Sequence, residues 1–263
     1  MIDSMNSIKT FFPDRIAANK SYESHMLKEY IQCQILEYIS KQPEAVNMDF
    51  IGGSNLRIVH DINRFSEDLD FDCKDMNSDM FEILTERIYR FLNDSGYHVI
   101  ARDAESDKIT AIRKSIYFPE LLFSLGISGY RQQKFLLKIE MQDQGVTYPS
   151  KTEFINRCGF VFPLRTAPID TLCAMKVNTV LTRGKGRDYY DLMFLLQRTK
   201  PDFYYLEIKA GIANWHQMIA RLTDVAEETN LFHKSRDFEH LLFDKNDAKR
   251  ILLFREFIKN LAA

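Results

Sequence analysis

The sequence predicts an α+β fold, in which a mixed β-sheet core with flanking helices, mainly on one side, precedes a helical bundle. Before Pro168 the patterns run strand, helix, strand, helix and then continue as a series of strands, which is typical of an α+β sheet. After Pro168 the hydrophobic period is helical nearly to the end, and no segment there has a convincing strand pattern. We therefore predict two domains, a sheet-based core at 1–165 and a helical bundle at 166–263.

Five elements form the predicted beginning of the core domain. A four-residue apolar repeat predicts a helix at 22–40, and a buried strand is predicted at 46–51. A short helix follows at 54–60. Residues 65–73 alternate between apolar and polar side chains, which predicts a strand with one polar face. A second long helix is predicted at 78–96.

The remaining strands are predicted in the second half of the core domain, before a loop and the helices of the bundle. The strand segments are YHVIA (97–101), ITAIRKSIYF (109–118), LLFSLGIS (121–128) and KFLLKIEM (134–141). Residues 145–168 contain three prolines and two glycines, which predicts a loop. The predicted bundle helices lie at 169–182, 187–198, 203–228 and 246–261.

Composition and charge limit the function classes. The 263-residue chain has a formal net charge of −2, so no overall basic field attracts nucleic acid, and an RNA partner would need a local basic patch. No stretch reaches the length of a membrane span, and the first residues lack a signal-peptide pattern, so we expect a cytoplasmic protein without membrane contact. The four cysteines form no C-x-x-C pair, which indicates reduced, packed thiols.

A glycine turn is the first candidate for binding a ligand. Gly52, Gly53 and Ser54 stand between a predicted strand and a predicted helix. Glycines at such a turn let the backbone approach a phosphate, the helix offers N–H groups, and the serine hydroxyl adds a donor. A tight turn without a ligand has the same pattern, so this signal requires a second one.

Two aspartates supply the second signal. Asp68 and Asp70 are one residue apart, so on a strand they project from the same face. Mg²⁺ or Mn²⁺ takes one or two carboxylates together with phosphate oxygens and water, whereas a D-x-D pair without a metal is an ordinary solvated strand face. A phosphate turn followed after 13 residues by a metal-binding pair predicts a bound nucleoside triphosphate (NTP).

Two stretches of the chain resemble a known family. "RFSEDLDFDC", together with the preceding Gly-Gly-Ser, resembles the signature of the polymerase-beta-like nucleotidyltransferase superfamily, in particular AbiEii/AbiGii-type abortive-infection toxins. "PIDTLCAMKVNTVLTRGKGRDYYDLMFLL", at 168–196, is similar to the family's helix–basic loop–helix segment. The resemblance implies a nucleotidyltransferase fold for the core and an enzyme that uses an NTP and a divalent metal.

The resemblance also implies roles for residues in the second stretch. By position, Lys176 and Asp191 correspond to the lysine and aspartate that serve the nucleotide. A lysine within a helix otherwise extends to solvent, and Asp191 would orient either Lys176 or the sugar. The loop residues Arg183, Lys185 and Arg187 place three positive charges between glycines, which suits contact with phosphate or RNA but also fits a solvated connection.

Two further residues complete the predicted site. A third carboxylate is expected on a later strand, to deprotonate the attacking hydroxyl or complete the metal site, and Glu140 is favoured over Asp143. Alternation places Glu140 opposite the inward-facing apolar residues of its strand. Ser66 shares the predicted face of Asp68 and Asp70, so we expect an exposed hydroxyl beside the metal. The resemblance implies that this hydroxyl contacts the phosphates of the nucleotide or even accepts a phosphate.

The predicted function is transfer of a nucleoside monophosphate (NMP) from an NTP to an acceptor. The resemblance implies an RNA acceptor, in particular a tRNA end, and a toxin held in check by a separate antitoxin protein. Two alternatives remain open at this point: transfer of the γ-phosphoryl group to a protein or small molecule, and a non-catalytic module that binds a nucleotide or a partner.

Overall fold

The computed structural model describes residues 4–103 and 112–262, and its fold confirms the predicted α+β class. Seven strands form a single mixed sheet: β1 (Met48–Ile51), β2 (Asp68–Cys73), β3 (Ile100–Asp103), β4 (Ile112–Tyr117), β5 (Leu136–Gln142), β6 (Lys151–Arg157) and β7 (Phe160–Thr166). Their order is β3-β4-β5-β2-β1-β7-β6. The β2–β5 and β1–β7 pairs are parallel, and the other four pairs are antiparallel.

The helices precede, interrupt and follow the strands. The α-helices are α1 (Met5–Lys9), α2 (Asp14–Ala17), α3 (Glu23–Ser40), α4 (Gly52–Ile58), α5 (Ser78–Asp94), α6 (Leu121–Ser124), α7 (Ile169–Thr182), α8 (Gly186–Leu196), α9 (Phe203–Ala210), α10 (Trp215–Glu228), α11 (Leu231–Arg236) and α12 (Phe254–Ala262). Short 3-10 helices lie at Lys20–Tyr22, Pro43–Asn47, Glu239–Leu241 and Lys245–Leu253. Among the described residues, no helix is both long and apolar enough to cross a membrane.

The chain divides into two compact units. The first unit, which contains the sheet and α1–α6, consists of Met1–Asp61, Phe65–Gly145 and Ser150–Thr166. The second unit, which contains α7–α12, consists of Ile62–Arg64, Val146–Pro149 and Ala167–Ala263.

The sheet of the first unit has one apolar and one polar face at its centre. In β2 and β5 the apolar side chains alternate with polar ones, so that Leu69, Phe71, Leu137 and Ile139 are buried on one face. Helix α3 contacts β7 and α5, and α5 contacts β4. The opposite face of β2 and β5 carries the polar residues of the candidate site.

The second unit is a bundle in which α7 contacts α8, α9 and α10, and α10 contacts α12. Its core includes buried side chains from α7, α8, α9 and α10, among them Leu172, Val177, Leu192, Leu206 and Leu222. The rings of Tyr189 and Phe254 meet edge to face with centroids 4.9 Å apart, a geometry that adds to burial energy.

Two predicted elements of the core domain are wrong. Residues 121–128 do not form a strand, because α6 begins there after Glu120, whose backbone is left-handed with a φ of +56°. The predicted loop at 145–168 contains the β6–β7 hairpin. Its Pro163 fits within a strand because the described pairing of β7 with β1 involves only Thr166, so β7 is paired on one side at the proline.

Several other predictions need smaller changes. The predicted helix at 203–228 is divided at Gly211, which ends α9 in a left-handed conformation. The predicted helix at 246–261 begins as a 3-10 helix and continues as α12. Of the predicted strand at 109–118, residues 109–111 lie outside the described part of the chain. All four cysteines are free, buried thiols, as predicted.

Candidate active site

The glycine turn after β1 lies directly against β2. Gly52 begins α4 with a φ of +76°, a conformation that glycine adopts without strain. A Cβ atom on this residue would collide with the carboxylate of Asp70. The amide of Asn55 fixes the turn by donating to the carbonyl oxygen of Phe50 over 2.8 Å. The absence of a side chain at position 52 therefore makes room for the acidic side chain on the neighbouring strand.

Ser54 connects the same turn to β2. Its hydroxyl is fully buried and donates a hydrogen bond to the backbone carbonyl of Asp68. In this geometry the hydroxyl is directed to the strand and not to solvent, which differs from the predicted side-chain contact with phosphate. Gly52 and Gly53 are half-buried, so the backbone of the two glycines is the part of the turn that an anion can approach.

Asp68 and Asp70 lie on the polar face of β2, and Glu140 lies beside them on β5. The two strands are parallel, and their register pairs Asp70 with Glu140 and Asp68 with Lys138. All three carboxylate residues are half-buried. Because side chains on paired positions of neighbouring strands share a face, the three carboxylates project from one surface of the sheet.

Two nearby aspartates have other contacts. Asp143 follows the end of β5, and its carboxylate accepts a hydrogen bond from the Gly145 N–H over 2.7 Å. Asp72 is fully buried at the next polar position of β2 and accepts a hydrogen bond from the Gln144 N–H over 2.9 Å. The register therefore favours Glu140 over Asp143 as the third carboxylate.

Two basic residues lie on the same face, and of these Arg113 was not predicted. Arg113 of β4 is paired in register with Glu140, and its Nε lies 2.6 Å from Oε1 of that residue. Lys138 is paired with Asp68, and its Nζ lies 3.9 Å from Oδ1 of that residue. These cations reduce the repulsion between the carboxylates. The sequence does not reveal these cross-strand pairs, because strand register decides which charges meet.

A third cation, which was also not predicted, is Lys28 of α3. Its Nζ lies 3.9 Å from a carboxylate oxygen of Glu67 and 5.7 Å from the centre of the Phe135 ring. Burial lowers the pKa of Lys28, while the charges of Glu67 and Asp68 act in the opposite direction. Lys28 therefore brings a partly desolvated positive charge close to the beginning of β2.

The donor set fits a divalent metal of the Mg²⁺ type. Asp68, Asp70 and Glu140 offer carboxylate oxygens, which are the ligands that Mg²⁺ prefers, and Gly52 leaves the Asp70 carboxylate unobstructed. Within residues 4–103 and 112–262, no three acidic, histidine or cysteine side chains are already grouped closely enough to hold a metal ion. Binding by these three residues would need Glu140 to turn from Arg113.

Ser66 has a different setting from the predicted one. β2 begins at Asp68, two residues later than the alternation of Ser66 with the aspartates requires, so Ser66 lies in the segment before the strand. The residue is half-buried, and its carbonyl oxygen accepts a hydrogen bond from the Gln32 amide over 3.3 Å. A role for its hydroxyl beside a metal stays a prediction.

In the second unit, Lys176 of α7 contacts two aspartates of α8. Its Nζ lies 2.7 Å from Oδ2 of Asp191 and 3.3 Å from Oδ1 of Asp188. Lys176 is only 8% exposed and both aspartates are fully buried, so the lysine does not extend to solvent. The pairing agrees with the expectation that Asp191 orients Lys176.

Arg64 is a further member of this cluster that the sequence did not single out. Its guanidinium donates to both carboxylate oxygens of Asp191, from Nε over 2.6 Å and from Nη2 over 2.7 Å. Arg64 is 1% exposed. Such a two-bond fork fixes the orientation of a carboxylate as well as neutralising it. The sequence signal is weak, because Arg64 is 127 residues from its partner.

The basic loop contributes to the same cluster. Arg183 donates from Nε and Nη2 to the two oxygens of Asp188 over 3.0 and 2.9 Å, and the backbone N–H of Lys185 donates to Asp188 over 3.1 Å. Arg183 and Lys185 are exposed, and Arg187 is half-buried. The charge of Arg183 thus also stabilises a buried aspartate.

These ion pairs set the pKa values of the two aspartates. Burial by itself would raise the pKa of Asp191, but Arg64 and Lys176 lower it below its ordinary value. Burial likewise opposes the lowering at Asp188, where Lys176 and Arg183 hold the pKa below its ordinary range. Both aspartates are therefore ionised in the folded protein at neutral pH.

A comparison with protein families gives a match over most of the chain. The family described as the nucleotidyl transferase AbiEii toxin of the type IV toxin–antitoxin system matches residues 34–258. No curated protein matches the chain significantly.

Solved structures with the same fold include toxins and nucleotidyltransferases. MenT4, a nucleotidyltransferase toxin from Mycobacterium tuberculosis, is 15% identical and superposes with a TM-score of 0.65 over 98% of this chain and 90% of its own. JHP933 from Helicobacter pylori is 19% identical, with a TM-score of 0.52 over 90% of this chain and 93% of its own. A nucleotidyltransferase from H. pylori is 18% identical, with a TM-score of 0.54 over 95% and 98% of the two chains. At this identity the structures show the fold alone.

Proposed function

The chain belongs to the AbiEii family of nucleotidyl transferase toxins of type IV toxin–antitoxin systems, and we propose that it transfers NMP from an NTP to RNA with the help of a divalent metal. We propose a tRNA end as the acceptor and a separate antitoxin protein as the partner that limits its activity. The observation that carries the proposed chemistry is the common face of Asp68, Asp70 and Glu140, with the glycine turn packed against Asp70.

In the proposed reaction the acceptor hydroxyl attacks the α-phosphorus of the NTP. A new oxygen–phosphorus bond forms, the bond between the α-phosphorus and the bridging oxygen breaks, and pyrophosphate leaves with the bonding electrons. Mg²⁺ or Mn²⁺ held by Asp68, Asp70 and Glu140 would neutralise the charge on the phosphate oxygens. The carboxylate face accepts the proton of the hydroxyl, and Glu140 is the residue we assign to this step. The backbone of Gly52 and Gly53 approaches the phosphates.

The second unit contributes Lys176 and the basic loop to the proposal. An ammonium group has three N–H donors, and Asp188 and Asp191 take two of those on Lys176. The third is the donor that we assign to the nucleotide. Arg183, Lys185 and Arg187 are assigned to phosphate or RNA contact, with Arg183 also holding Asp188 in place.

The experiment that tests the reaction follows the position of a radioactive label. The protein is incubated with Mg²⁺, total cellular RNA and each of the four NTPs, labelled at either the α- or the γ-phosphate. Transfer of the α-label into RNA is expected for at least one NTP. Transfer of the γ-label alone, into any product, would replace nucleotidyl transfer by phosphotransfer, and no transfer of either label would favour a non-catalytic nucleotide-binding module.

Three variants locate the chemistry. Asp70→Asn and Glu140→Gln should each abolish transfer of the α-label while leaving the thermal unfolding temperature close to that of the parent. Asp143→Asn is the matched control, because Asp143 lies just past the end of the same strand and an asparagine oxygen can still accept from the Gly145 N–H. Full activity in Glu140→Gln together with loss in Asp143→Asn would exchange the roles of these two residues.

A further inference from the structure

Arg113 is the only cation of the described polar face that is in direct contact with Glu140. Strand register places Arg113 beside Glu140 and Glu140 beside Asp70, so the three residues form a row across β4, β5 and β2. The Arg113 and Glu140 side chains are 35% and 21% exposed, and their closest atoms are 2.6 Å apart. The pair is therefore close but open to water on one side.

The surroundings of Arg113 are strongly acidic. The close carboxylate of Glu140 raises the pKa of Arg113 against the opposing effect of burial, and the charges of Asp68 and Asp70 add to the rise. On this face Arg113 and Lys138 oppose three carboxylates. A positive charge at Arg113 is thus favoured in the neighbourhood of these carboxylates.

The same contact creates a competition when a metal is to bind. A carboxylate oxygen that lies 2.6 Å from a guanidinium is not available as a metal ligand at the same time. In addition, the positive guanidinium repels a divalent ion that enters between the carboxylates. A triphosphate reverses this situation, because the planar guanidinium fork binds phosphate oxygens as well as it binds a carboxylate.

We infer that Arg113 is an exchangeable counter-ion, which holds Glu140 before metal and nucleotide arrive and then contacts the phosphates of the bound triphosphate. The inference rests on the proposed function, since it requires the metal and the triphosphate at the face of Asp68, Asp70 and Glu140. It assigns Arg113 as a positioning residue for Glu140 in the free protein and as a phosphate ligand in the complex.

The inference predicts changes of opposite sign in two affinities for one variant. In Arg113→Gln the affinity for Mn²⁺ alone, measured by electron paramagnetic resonance, should rise by about tenfold because a competing positive charge has been removed. The affinity for Mg²⁺-bound α,β-methylene triphosphates of the four nucleosides, measured by calorimetric titration, should fall by about tenfold or more because phosphate loses a charged partner. Arg113→Lys keeps the charge, so its Mn²⁺ affinity should stay close to that of the parent.

Lys114→Gln is the matched control for this experiment. Lys114 is the next residue on the same strand, faces the other side of the sheet, and lies 3.5 Å from the Glu82 carboxylate. Removing its charge should change neither affinity. A purely structural role of Arg113 would lower both affinities in Arg113→Gln or change neither, and either result overturns the inference.

One more variant separates this inference from the proposed function. If Asp70→Asn loses Mn²⁺ binding while Arg113→Gln binds Mn²⁺ like the parent, the metal site stands and the counter-ion role is overturned. If Asp70→Asn binds Mn²⁺ like the parent, the proposed metal site fails and the counter-ion role fails with it.

Discussion

The ion pair between Arg64 and Asp191 allows a specific test of whether the buried cluster of the second unit serves the nucleotide. The substitution Arg64→Lys keeps the positive charge but replaces a planar fork by a single ammonium group. In the structure the fork donates to both oxygens of Asp191 at 2.6 and 2.7 Å, and Lys176 donates to the same carboxylate at 2.7 Å. We therefore expect Arg64→Lys to loosen Asp191 and, through it, Lys176.

The expected magnitude follows from these contacts. Loss of one charge-assisted hydrogen bond in a buried pair lowers the free energy of unfolding by about 1.5–3 kcal/mol. For a chain of this size that corresponds to a fall in melting temperature of roughly 3–12 °C. If Lys176 contacts the triphosphate, its displacement should weaken triphosphate affinity by about tenfold, which corresponds to about 1.4 kcal/mol.

Arg57→Lys is the matched control, because a second buried arginine fork exists in the first unit. Arg57 donates to both oxygens of Glu29 at 2.9 and 3.1 Å, and Glu29 is shared with Arg157 at 2.8 Å, just as Asp191 is shared with Lys176. The assay combines urea unfolding with titration of Mg²⁺-bound α,β-methylene triphosphates. Both variants should lose stability, and only Arg64→Lys should lose affinity. Equal loss of affinity in the two variants, or no loss in Arg64→Lys, would refute a role for this cluster in nucleotide binding.

Three other predictions follow from the two units. Gly52→Ala should destabilise the protein by about 1–3 kcal/mol and weaken Mn²⁺ binding. Gly126 also has a positive φ, of +71°, but no atom lies within 4 Å of a Cβ built on it, so Gly126→Ala should show only the cost of the backbone conformation. Equal Mn²⁺ affinity in both variants would contradict the contact with Asp70. Because the pKa of Asp188 is lowered in the folded protein, its contribution to stability is present above about pH 4 and is lost as the pH falls further. Between pH 7 and 2.5 the free energy of unfolding of Asp188→Asn, measured by thermal unfolding, should therefore depend less on pH than that of the parent, by up to about 1.4 kcal/mol per pH unit. An unchanged acid dependence would contradict the pairing. Lys185→Ala should reduce the salt dependence of RNA binding by about 0.7–0.9 units without changing stability, because only its backbone N–H contacts Asp188. An unchanged slope would exclude Lys185 as an RNA contact.

The features predictable from the sequence are those that depend on local periodicity. The period of two in β5 predicts that Glu140 faces away from Leu137, Ile139 and Met141, and the structure has this alternation. The same rule places Asp68 and Asp70 on one face, because both lie within β2. It fails for Ser66, since periodicity alone does not reveal where a strand begins.

The unpredicted features depend on contacts between distant parts of the chain. Arg113 meets Glu140 only because β4 and β5 pair in one particular register. The Ser54 hydroxyl can donate a hydrogen bond to either a phosphate or a carbonyl oxygen. Because α4 packs on β2, it donates to the carbonyl oxygen of Asp68. Residue type and spacing therefore identify which groups are available, whereas register and packing decide which groups are already in use.

The two charged clusters differ in how readily their ion pairs can exchange partners. In the second unit, Asp188 and Asp191 are fully buried. Removing a cationic partner would leave a buried charge that water cannot solvate, and this free-energy cost keeps the ion pairs from exchanging partners. On the sheet face of the first unit, Lys138 lies 3.9 Å from Asp68 and is 40% exposed, and Arg113 is 35% exposed, so water can replace either cation at small cost. A reaction that takes up a metal and a triphosphate and releases pyrophosphate needs charges that change partners in each cycle. The half-buried carboxylates of the sheet would meet this requirement in the proposed reaction, and the buried ion pairs of the bundle would then act by holding Lys176 in one orientation.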